Sequence, residues 1–109
     1  MPINSRAKGK AGELEAIKLI KAAGWPNAAR TSDGRNQTGR GDVKNGPEGA
    51  HIEVKRVQKL NIRKALDQAI RDASPLDIPI VMHRPNDHEW MCTLPADDLL
   101  VLLAAREQR

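Results

Sequence analysis

Phenylalanine and tyrosine are absent from this chain, and Trp25 and Trp90 are its whole aromatic content. The core must therefore be built from Leu, Ile, Val and Ala, and the scarcity of rings argues against binding single strands by stacking bases. Cys92 stands alone, which excludes an internal disulfide and fits a reducing compartment. No apolar run approaches the roughly 18 residues of a membrane span, and no signal peptide precedes Asn4. The expectation is a soluble cytoplasmic protein, of a bacterium or a phage-infected host, without a membrane partner. Internal repeats and heptad arrays are also missing.

Charge is what the chain has. Its 18 Lys and Arg exceed its 14 Asp and Glu by four over 109 residues. That is the size of one compact domain, residues 1–109, and the basic surplus favours a polyanionic partner such as nucleic acid. Residues 1–5 are expected to be flexible.

Periodicity divides the domain. Leu14, Ala16, Ile17, Leu19, Ile20 and Ala23 share one wide helical face over about Ser5 to Ala23, and Gly24 and Pro26 end that helix. The polar stretch Ala29 to Arg40 reads as a loop, mobile and basic over 30–40. Val43 and the alternating pair Ile52 and Val54 are strand positions, with Asn45, Gly46, Pro47 and Gly49 as the turn of a hairpin. Asn61 caps a helix whose apolar residues Ile62, Ala65, Leu66, Ala69, Ile70 and Ala73 follow the helical repeat. Strands over Ile78 to Arg84 and Glu89 to Leu94 come next, joined through Pro85 to His88, and a last helix starts near Pro95. The order α-β-β-α-β-β-α predicts an α/β fold with a central mixed sheet flanked by helices.

The hairpin stretch GDVKNGPEGAHIEVKR carries the chemistry. With Gly46 to Gly49 as the turn, counting outward brings Val43 opposite Ile52 and Asp42 opposite Glu53. Facing carboxylates on paired strands are destabilising unless neutralised, and a divalent cation would neutralise them. Alternation puts Lys55 on the face of Glu53, while Ile52 and Val54 point to the other face. On the first helix, about 100° per residue places Glu13 within the apolar stripe and Glu15 outside it. Glu13 then either joins a metal site or reaches water at the start of the helix.

Lys8-Gly9, Glu13, Gly41-Asp42, Glu53-Val54-Lys55 and Gln68 together resemble the PD-(D/E)xK nuclease superfamily. Within it, the chain is similar to the small Holliday-junction-resolvase-like nucleases of archaea and phages. An isolated ExK occurs in many charged strands. An aspartate ten residues upstream of it, behind a helix with a Lys-Gly pair followed by a glutamate, is far more specific. Gly41 stands where the family name has proline, a position that supplies no ligand.

The resemblance implies a restriction-endonuclease-like core. It also implies a site in which Asp42, Glu53 and the Val54 carbonyl bind Mg²⁺, with Mn²⁺ able to substitute and Glu13 helping directly or through water. The ion would acidify a water and stabilise the scissile phosphate, and Lys55 would orient that water or stabilise developing charge. Gln68 would orient the water or touch a phosphate. The bond to the 3′ oxygen would break, leaving a 5′-phosphate. Zinc is not the expected native metal, because the site has no clustered His or Cys. The implied substrate is branched DNA such as a four-way junction, with other DNA, or DNA binding without catalysis, as alternatives.

Further candidates for DNA contact are Arg30, Ser32, Arg35 and Arg40 on the loop, Arg6, Lys8 and Lys10 as a basic arm, and Lys64 and Arg71 beside Gln68. His51 reads as a surface residue at the hairpin's end and Cys92 as a small core residue. His83 and His88 have no assigned role. Leu99 to Leu103 are apolar nearly all round their helix, which suggests deep burial or a second subunit. A homodimer is expected, since cutting a four-way junction symmetrically takes two sites.

Overall fold

The structure, a computed structural model, describes residues 5–31 and 41–108, without the side chains of residues 5–8. Along the chain lie α1 (Ser5–Ala23), β1 (Ala29–Arg30), β2 (Val43–Lys44), β3 (Ala50–Lys55), α2 (Ile62–Asp72), β4 (Ile78–His83), β5 (Met91–Thr93) and α3 (Ala96–Glu107). This is an α/β fold with three helices and a mixed sheet.

Local sequence explains the helix boundaries. Gly24, at φ +132°, takes the chain out of α1, and its N–H bonds back to the Lys21 carbonyl. Asn61 begins α2 by accepting the Lys64 N–H on its side chain, as expected of an N-cap.

The principal sheet has the order β3-β4-β5, with β3 and β4 parallel and β4 and β5 antiparallel. Parallel neighbours need a crossover connection, and α2 supplies it. Ile52 pairs in register with Ile80 and Val54 with Met82, and on this face they meet Ala16, Ile17 and Ile20 of α1. The opposite face carries Glu53 in register with Val81, which packs against Ala65 and Ala69 of α2.

Two expectations are corrected. Ala29 and Arg30 form a strand rather than loop, pairing antiparallel with β2 as a small second sheet. The hairpin of the 43–55 stretch does not form its expected ladder. Val43 lies opposite Arg30, and among the described residues β3 receives one bridge on that side, Gly41 to Ile52, in the parallel sense. Burial of Val43 with the α1 core accounts for this, because the residue follows its apolar contacts and takes a different strand as partner. Asp42 therefore does not sit opposite Glu53 as a cross-strand pair.

Smaller corrections follow from burial. Leu14, Leu19 and Ile70 are about half exposed, so the buried stripes of α1 and α2 are narrower than their apolar patterns. Cys92 lies on the short edge strand β5 and is exposed, not in the core. No residue of α3 is buried, which removes the deep-burial alternative for Leu99 to Leu103 within this chain. No helix among the described residues is long and apolar enough to cross a membrane.

Candidate active site

β3 presents its two edges differently. Backbone groups of its odd-numbered residues reach β4, as the Lys55 carbonyl does to the Arg84 N–H. Those of Ile52 and Val54 open to the other edge, where Asp42 takes both: its N–H donates to the Ile52 carbonyl at 2.8 Å, and its Oδ2 accepts the Val54 N–H at 2.7 Å. Gly41 permits this approach. It has φ +74°, and a Cβ at that position would collide with the Ile52 backbone. On the other side, the Thr31 N–H donates to the Asp42 carbonyl and the Thr31 hydroxyl to the Gly41 carbonyl, both at 3.1 Å. Asp42 is thus held by main-chain bonds on both sides.

Glu13 reaches the same edge from α1. Its carboxyl interacts with that of Asp42, and its Oε1 accepts from Arg30 Nε at 2.9 Å. Burial pushes the Glu13 carboxyl above the usual carboxylate range; the Arg30 hydrogen bond opposes this and the Asp42 charge adds to it. Burial likewise raises Asp42, against the Val54 hydrogen bond, with Glu53 adding to the rise and Lys55 opposing it. Asp42, at the outer edge of β3, is therefore linked electrostatically to Glu13, Glu53 and Lys55. The expected division of α1 also holds: Glu13 points inward, and Glu15 is exposed at the surface.

Glu53 has a further partner. Its Oε1 lies 2.8 Å from Nε2 of His51, which has no solvent exposure. This corrects the reading of His51 as a surface residue. The pair occupies the sheet face that α2 covers, and the position of His51 two residues before Glu53 was the signal for it in the sequence.

The remaining candidates separate by location. Arg30 is ion-paired with Glu13 rather than displayed to solvent. Gln68 is half-buried on α2 and has no hydrogen bond to the carboxylates among the described residues, whereas Lys10, Lys64 and Arg71 are exposed. Ser32, Arg35 and Arg40, with the rest of the 32–40 part of the expected loop, lie outside the described residues, as do the side chains of Arg6 and Lys8 and residues 1–4 of the expected flexible start. Unforeseen from sequence was a cluster in which Glu15 pairs with Arg84 at 3.0 Å and lies 4.0 Å from Arg56. Arg84 also stacks over Trp90, and Arg56 bonds Asn86. This cluster ties α1 to the ends of β3 and β4 and leaves the acid group free of Glu15.

A divalent cation fits this donor set in kind. All side-chain ligands would be carboxylate oxygens, as hard cations prefer, and two of the carboxyls are raised by burial and by neighbouring acids, a burden that a cation would relieve. As the side chains stand, no three His, Cys, Asp or Glu among the described residues close on a common point. Glu13 and Asp42 are the adjacent pair, with Glu53 drawn to His51.

Comparison with protein-family models, with curated proteins and with solved structures finds no match.

Proposed function

We propose that the protein is a Mg²⁺-dependent endodeoxyribonuclease that cleaves branched DNA, with the four-way junction as its principal substrate. The observation that carries this reading is the anchoring of Asp42 on the open edge of β3, bonded to Ile52 and Val54, where its carboxyl interacts with those of Glu13 and Glu53 and with Lys55. Asp42 and Glu13 would hold the cation, with Glu53 and the Val54 carbonyl completing the protein ligands. Bound there, Mg²⁺ or Mn²⁺ would supply positive charge to the scissile phosphate and a more acidic water.

The chain's own groups do the rest. The Val54 N–H fixes Asp42 Oδ2, so one orientation of that carboxylate is preset. Lys55, half-buried and acting electrostatically on Asp42, brings a cation with three donors to the place where charge grows on the phosphate oxygens. Arg30 balances Glu13. Exposed Lys10, Lys64 and Arg71 are available to phosphates and carry no base-reading geometry, which suits recognition of shape and backbone.

Symmetric cleavage calls for two sites, and α3 offers the contact. Leu99, Leu100, Val101, Leu102 and Leu103 are between 41% and 66% exposed on a helix with no buried residue. An exposed apolar run of this kind marks a protein contact, and a second copy of the chain would cover it helix on helix. Leu100→Glu and Val101→Glu alter the two most exposed positions of this run without touching the core. Sedimentation should show wild type as a dimer and the double variant as a monomer; a monomeric wild type would contradict this part.

The test of activity uses labelled four-way junction, flap, linear duplex and single strand, each with Mg²⁺ and with EDTA. Junction cleavage in Mg²⁺ alone is expected. Equal cutting of junction and duplex would reject junction selectivity, and no cutting of any substrate would reject the nuclease reading.

A further inference from the structure

His51 is the buried group that the proposed chemistry leaves unused. It sits on β3, in register with Pro79 and two positions before Glu53, on the face that α2 covers. A polar ring in such a place needs a hydrogen bond to offset its lost hydration. Its Nε2 finds one 2.8 Å away in Glu53 Oε1. A carboxylate only accepts, so Nε2 carries the proton and donates.

The bond constrains Glu53 in turn. With Oε1 held by a ring that has no solvent exposure, the carboxylate is restrained from rotating. We propose that His51 is a positioning residue that fixes the Glu53 carboxylate for cation binding at the β3 edge. This rests on the metal-dependent reading above.

Loss of a partner that orients a metal ligand typically costs about 10- to 100-fold in metal affinity. Two substitutions of similar size and polarity separate positioning from packing. Gln in His51→Gln has a side-chain N–H at about the reach of Nε2, whereas Asn in His51→Asn falls short. Calorimetric titration of the full-length chain with Mn²⁺ should give His51→Gln within about threefold of wild type and His51→Asn weaker by about 10- to 100-fold. Affinity for four-way junction DNA in EDTA should be unchanged in both. Equal Mn²⁺ affinity of His51→Asn and wild type would overturn the proposal, leaving His51 as a core residue that Glu53 merely satisfies.

Should His51→Asn fail to fold, wild type still decides: the ¹⁵N resonance of His51 Nε2 should shift on saturation with Mg²⁺, and an unmoved resonance overturns the proposal. Wild type that binds no Mn²⁺ overturns both this proposal and the nuclease reading. Wild type that binds Mn²⁺ with the expected order of variants but cuts no DNA overturns the nuclease reading alone.

Discussion

Replacing Asp42 by Asn should stabilise the metal-free protein at neutral pH while abolishing its activity. The substitution keeps an oxygen to accept the Val54 N–H and removes one charge from a group containing Glu13 and Glu53. Unit charges about 4 Å apart near a protein surface repel by about 4 kcal/mol at an effective dielectric constant of about 20. Arg30 on Glu13 and Lys55 beside Asp42 offset much of that repulsion. Exchanging a charge-assisted hydrogen bond for a neutral one costs about 1 kcal/mol. The balance is a gain of about 1 kcal/mol in EDTA at pH 7, or a rise of about 4–8 °C in Tm for a domain near this size.

The gain must depend on pH. Glu13 and Asp42 have carboxyls raised above their usual range, so their contribution to wild-type stability is fully present below the unfolded pKa values and is lost as pH rises through the folded ones. Wild type should therefore lose stability from mildly acidic to neutral pH, and the advantage of Asp42→Asn should disappear on acidification. Scanning calorimetry in EDTA across this range measures both. In Mg²⁺ the order reverses, because only wild type gains the stabilisation of binding, about 2.7 kcal/mol at 100 times Kd. An Asp42→Asn protein less stable than wild type by more than about 1 kcal/mol at pH 7, or one whose advantage is the same in acid, would refute the reasoning.

Gly41→Ala should cost about 1–3 kcal/mol in urea denaturation, from the positive φ and the collision with Ile52, and should displace Asp42 enough to reduce cleavage. Arg30→Met should destabilise the protein in EDTA by about 1–2 kcal/mol, a value between those for exposed and buried pairs, because Glu13 would lose its cation. Saturating Mg²⁺ should restore most of that loss, which thermal melts with and without the ion can check.

The parts of this fold governed by local rules were legible in the sequence. Asn61 and the 3.6-residue repeat after it located α2, and helical angle alone assigned Glu13 inward and Glu15 outward. Strand β3 was legible from the alternation of Ile52 and Val54. What escaped was decided by contacts distant in the chain. The partner of Val43 could be a near neighbour across a turn or the earlier Ala29–Arg30 segment, and local pattern does not choose between them. His51 looked solvated in a charged strand because its burial depends on the helix laid over that face. Cys92 looked apolar enough for a core, but a three-residue edge strand leaves it exposed. The Leu99 to Leu103 run could not declare whether its cover is its own sheet or another molecule.

Single-turnover cleavage of an end-labelled four-way junction by EDTA-stripped protein, with Mg²⁺ added back stepwise, tests the central claim most directly. Wild type should cut with a rate that rises with Mg²⁺ to saturation, and Asp42→Asn should show no cleavage at any concentration although it folds and binds the junction. Cleavage by Asp42→Asn at the wild-type rate, or none by wild type at saturating Mg²⁺, would contradict the assignment of the β3 edge as a metal-dependent nuclease site.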